Sequence, residues 1–188
     1  MAPEREQTVC LSCGLCCDGT LFGHAVLKPG EKGNLPSLIE QRVFMIGEKD
    51  YFRLPCLYFL GRCTIYSSKR ADVCGSFRCR LLSEMSEGRI SFEKALEIVK
   101  GAVIMRNNLQ EEYRSFPESP GILPLTEIMK VLGNYHNSID YDGRPDTRYE
   151  LLLARCNIFE ALLIKHFRPE SAFNSLVMKQ DEGPDIIK

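Results

Sequence analysis

With 188 residues, 44% apolar and 26% charged side chains and a formal charge of −1, the chain has the makeup of a globular protein large enough for one real core. Its near-neutral charge argues against a general attraction to nucleic acid or anionic lipid, and no stretch approaches the roughly 18 uninterrupted apolar residues of a membrane span. Residues 1–9, MAPEREQTV, contain no apolar h-region, so a cytoplasmic location is expected.

The first cysteines follow at once, as CxxCxxCC at Cys10, Cys13, Cys16 and Cys17. Three sulfurs at this spacing are expected on one tight loop, the arrangement in which a ferredoxin holds three corners of a cluster while a distant cysteine supplies the fourth. Residues 18–55 are punctuated by Gly19, Gly23, Pro29, Gly30, Gly33 and Pro36, and the apolar runs between them are too short for stable helices. One hairpin is predicted there, out through residues 42–46, turning at 47–50 and returning through 51–54. Such a hairpin would set the second group of cysteines, Cys56, Cys63, Cys74 and Cys79, beside the first.

The second group has gaps of 6, 10 and 4 residues and no CxxC knuckle. Six basic residues (Arg53, Arg62, Lys69, Arg70, Arg78, Arg80) accompany it against one acid, Asp72. Four thiolates around a divalent ion or a [4Fe-4S]²⁺ cluster leave a net negative charge, which nearby cations would offset; a solvated or anion-binding face is the alternative use of the run. Eight thiolates suffice for two tetrahedral shells of zinc or iron. Disulfides are the competing use, disfavoured by the absence of a secretory signal. The trio spacing favours iron–sulfur over paired zinc knuckles without excluding zinc. One site per group and a shared pocket drawing on both are equally compatible with the spacing.

Beyond Cys79 the pattern turns helical. Ser91 is expected to cap a helix over residues 91–109 or beyond, residues 117–124 to break it, Thr126 to cap a second helix through Tyr135, and Asp146 to open a third with a wide apolar stripe from Leu151 to Phe167. Residues 169–188 read as a tail. The expected fold class is α+β: an irregular, metal-stapled, Cys-rich N-terminal half with a short hairpin, packed on a small layer of C-terminal helices. The expected organisation is a single domain over 1–168, with a metal-binding region at 8–85 and a helical region at 90–168.

The segments CGLCCDGTLF (13–22) and PCLYFLGRCTIYSSKRADVCGSFRCRLL (55–82) resemble the YkgJ-type cysteine-cluster family, described as zinc- or iron-chelating domains. The resemblance covers roughly residues 8–85 and includes all eight cysteines, with Ile65, Tyr66 and Phe77. The family's usual proline after the arginine is absent, since Ala71 and Asp72 follow Arg70. What the resemblance implies is metal binding, and some relatives are similar to flagellin lysine methylases. This chain has no GxGxxG, no P-loop and no CxxxCxxC triad, so a protein-modifying enzyme has no cofactor motif to point to. A structural-zinc adaptor docking a protein partner is the third reading.

The remaining candidates have plainer roles. Asp18 is expected to serve a turn rather than a metal, and His24 to be no ligand with eight sulfurs at hand. His136 and His166 are expected on the surface, Cys156 in the core, and Tyr66 and Phe77 packed over the metal site.

Overall fold

Helix α1 (Glu4–Cys13) opens the chain with Glu4 and Glu6 in its first turn, where acidic groups complement the helix dipole. The irregular reading of this segment is corrected here: the first two cysteines lie on a helix. Its apolar content is slight, and it holds because Val9, 1% exposed, packs into the core against a helix far along the chain. The computed structural model describes residues 4–117, 119–121, 123–138 and 146–168. The tail expected at 169–188 lies outside the described residues.

Strand β1 (His24–Val26), helix α2 (Ser37–Glu40), strand β2 (Val43–Ile46) and strand β3 (Lys49–Arg53) follow. The expected hairpin is present and tighter than expected, with Ile46 paired to Lys49 across a two-residue turn. Gly47 sits at φ +59° while Glu48 does not adopt a positive φ, the sign pattern of a type II′ turn. The three-residue β1, too short to show an alternation, adds a third antiparallel strand in the order β1-β3-β2. Phe52 on β3, Leu27 after β1, Ile39 on α2 and Ala71 form a small core beneath the sheet.

Helix α3 (Val73–Ser76) carries Cys74, and Cys79 immediately precedes helix α4 (Arg80–Ser86). Helix α5 (Phe92–Arg114) begins as expected, with Ser91 Oγ accepting from Lys94 N at 3.1 Å. It buries Ala95, Val99, Ala102, Leu109 and Tyr113 at helical spacing. Helix α6 (Leu125–Ser138) starts two residues earlier than a cap at Thr126 would place it. Thr126 therefore lies inside it, and its hydroxyl donates to Gly19 O at 3.3 Å instead of capping. Helix α7 (Thr147–His166) is capped by Asp146, whose carboxylate accepts from Arg148 N at 2.9 Å.

The molecule is α+β, with two apolar cores. The larger joins α1, α4, α5, α6 and α7, and the loop residues Leu15 and Leu21 enter it. The smaller lies under the sheet. Among the described residues no helix is long and apolar enough to cross a membrane. Cys156 is fully buried on α7 beside Phe159, as a core residue. Phe159 is itself 0% exposed, so Phe159→Ala is expected to cost about 3–5 kcal/mol of unfolding free energy through lost transfer and the cavity left behind, read from denaturant midpoints.

Candidate metal centre

Cys10 and Cys13 lie three residues apart in the last turn of α1 and so share a face of the helix. The chain leaves the helix at Gly14, with φ +67° and its N–H bonded to Cys10 O at 3.2 Å. Cys17 N and Asp18 N then both donate to Gly14 O, at 2.9 and 3.0 Å, coiling the turn that carries Cys16 and Cys17. A Cβ on Gly14 would stand 2.3 Å from the Phe59 ring. Glycine is needed here for the backbone angle and for the approach of the second cysteine segment.

That segment is tied to the first by its backbone. After β3, Leu54 N donates to Gly23 O at 3.0 Å and Cys56 N to Cys17 O at 2.7 Å, so the returning hairpin sets Cys56 directly against the first group. Phe59 and Cys63 pair in an isolated antiparallel bridge around Gly61, and Thr64 closes the loop through N and Oγ1 donated to Tyr58 O. Cys74 sits on α3, anchored by Glu31: one carboxylate oxygen accepts from Asp72 N at 2.7 Å and the other from Lys28 N at 2.6 Å. Cys79 is the residue before α4, with Ser83 N donating to its carbonyl at 3.1 Å.

All eight cysteines thereby come to the walls of two adjoining cavities. The larger, about 260 Å³, is bordered by Cys10, Cys16, Cys17, Cys56, Cys63 and Cys74. The smaller, about 50 Å³, is bordered by Cys10, Cys13, Cys16, Cys17 and Cys79. Phe77 lines both; Tyr66 lines the larger, beneath Arg70, whose guanidinium carbon is 4.1 Å from the ring centre. Phe77 meets Phe22 edge to face at 5.2 Å. His24 lines the larger cavity with its ring edge-on to Phe44 and Tyr51. None of the nine cysteines is in a disulfide.

Two ion pairs frame this seam. Glu6, buried on α1, receives a two-pronged hydrogen bond from Arg78, both prongs at 2.7 Å, across 72 residues of sequence. The pair draws the segment ending in Cys79 onto the helix that bears Cys10 and Cys13. Asp18 uses both carboxylate oxygens within the protein. One accepts from Thr20 N at 2.8 Å, the turn role expected for it, and the other pairs with Arg106 of α5. The Asp18 and Arg106 side chains are 10% and 12% exposed, so this is a nearly buried pair.

Burial raises the Cys10 thiol above its ordinary range. It pushes Cys13 up to about 12, partly countered by a backbone N–H at Leu15 and by the Arg106 cation, and Cys74 up to about 11, where Arg70 opposes it. Cys16, Cys17, Cys56 and Cys79 are raised for the same first reason. Neutral thiols facing one another in an apolar seam become thiolates when a soft cation replaces their protons.

The donors fit such a cation in type and number, with the basic groups Arg70 and Arg106 at hand to offset thiolate charge. Among the described residues no three His, Cys, Asp or Glu side chains form a ready-made ligand group. Comparison with family models, with curated proteins and with solved structures finds no match to this chain.

Arg106 is the site residue that sequence reading passed over. Buried positions on α5 run 95, 99, 102, 109 and 113, and 106 falls in the same series. A cation on the buried stripe of a helix calls for a buried anion, and the pattern alone contains that signal. Glu150 Oε1 accepts from His136 Nδ1 at 2.9 Å on the surface, and His166 lies at the end of α7.

Arg106→Met leaves the Asp18 carboxylate buried without its cation and is expected to cost about 3–5 kcal/mol; adding Asp18→Asn should restore much of this, giving a clear coupling in a double-mutant cycle. Gly14→Ala is expected to lose about 1–2 kcal/mol from the backbone angle alone, with the Phe59 clash adding to it, measured by urea unfolding.

Proposed function

We propose that this chain is a metal-binding protein that holds zinc or iron, the latter as ions or as iron–sulfur clusters, through the thiolates of Cys10, Cys13, Cys16, Cys17, Cys56, Cys63, Cys74 and Cys79. The observation that carries the reading is that eight cysteines spread over 70 residues all border two adjoining cavities, while the ninth, Cys156, is buried elsewhere. Packing alone does not call for eight unbridged thiols at one seam. The resemblance of the cysteine segments to the YkgJ-type family supports the same reading.

The protein's own part is to bind, position and insulate. Glu6 and Arg78 hold α1 against the segment before Cys79, the Cys56 N–H to Cys17 O bond holds the sheet side, and the rings of Tyr66 and Phe77 contribute to the cavity walls. A closed shell of thiolates supplies structural cross-linking when zinc is bound and electron transfer or sensing when iron–sulfur is bound. The bound metal would then staple a stretch whose strands and helices are short, and its binding free energy would be folding free energy. The proposed setting is cytoplasmic.

Anaerobically purified protein is expected to carry zinc or iron in stoichiometric amount by elemental analysis, iron–sulfur being marked by broad visible absorption. Cys16→Ala is expected to release metal and to raise amide exchange across residues 14–79 while α5 and α7 stay protected. A metal-free parent chain, or a variant that keeps all its metal and its protection, would sink the reading.

A further inference from the structure

The eight cysteines do not divide between the cavities as they divide in sequence. Cys13 and Cys79 border the small cavity alone; Cys56, Cys63 and Cys74 border the large one alone; Cys10, Cys16 and Cys17 border both. Packing divides them again along the same line. Cys13, Cys16 and Cys79 lie against the helical core, and Cys56 and Cys74 against the core beneath the sheet. The last cysteine of the second group has therefore crossed to the side of the first.

We propose that the chain forms two thiolate sites with exchanged members, one from Cys10, Cys13, Cys16 and Cys79 on the helical side, the other from Cys17, Cys56, Cys63 and Cys74 on the sheet side. This rests on the metal-binding reading above and adds the partition of ligands, which spacing left open. Two further features place the shared residues. The Glu6 carboxylate, one helical turn before Cys10, grips Arg78, the residue before Cys79, so Cys79 is held to the helix that bears Cys10 and Cys13. The Cys17 carbonyl accepts from Cys56 N at 2.7 Å, fixing Cys17 to the sheet side.

The adjacent Cys16 and Cys17 thus part company. Successive residues on a coiled turn point in different directions, so one dipeptide serves both sites and spans the wall between them. The first site takes three ligands from the first group and its fourth from 63 residues beyond Cys16; the second takes one ligand from the first group and three from the second.

The test uses the full chain loaded with NMR-active cadmium as the probe, with proton–cadmium correlations assigning each cysteine β-proton pair to one metal resonance. Cys79 is expected to share its cadmium with Cys13, and Cys17 to share a different cadmium with Cys56. Correlation of Cys79 with Cys74, or of all eight with one coupled cluster, would overturn the partition. Paired variants give a second readout by metal content: Cys13→Ser with Cys79→Ser should remove about half the metal, and Cys74→Ser with Cys79→Ser nearly all of it. The reverse order would overturn the assignment and leave metal binding standing. A parent chain that takes up no cadmium, zinc or iron would remove the metal-binding reading and the partition together.

Discussion

The structure turns on the coil of residues 14–18, where three constraints meet within one turn. Gly14 takes a left-handed angle and leaves room for the Phe59 ring, the Cys17 carbonyl accepts from Cys56, and Asp18 pairs with Arg106. Through these contacts the same few residues touch the helical layer on one side and the returning sheet segment on the other. Release of any one would loosen the relation between the two apolar cores. The core on the sheet side is small, so polar contacts share with burial in holding the seam.

Those polar contacts are of the costly kind that must be satisfied completely. Glu6 is buried and the Asp18 side chain nearly so, and each carboxylate is met by a guanidinium. Replacing both partners of such a pair with apolar groups is often tolerated, whereas removing one strands the other. The pairs consequently act as registration devices. They specify which part of the irregular segment lies against which helix, more than they add to stability.

Sequence and structure agree where a signal is local and repeats. Helices α5 and α7 announce themselves by apolar stripes and by the caps Ser91 and Asp146, and the hairpin by its apolar strands around Gly47. Helix α1 was hidden because its stability comes from α5 and from Arg78, 72 residues away, and a ten-residue segment with so little apolar surface carries no mark of either. Strand β1 was hidden because three residues cannot display an alternation. The cysteines were legible as a set and not as pairs, since ligand type is written in the residue and proximity only in the fold. Arg106 shows the intermediate case, a charge whose position in an apolar stripe was visible and whose partner was not.

The reach of the Glu6 to Arg78 contact has a kinetic side. A contact between residues 72 apart closes one of the longest loops in the N-terminal half, and loop closure of that kind is entropically costly and comes late. During synthesis the first four cysteines leave the ribosome many residues before Arg78 exists to draw the chain back onto α1. For that interval the thiols of the first group are exposed and without their eventual neighbours. The order of residues along the chain thus creates a window in which the thiols of the first group are open to oxidation, and it narrows when Arg78 reaches Glu6.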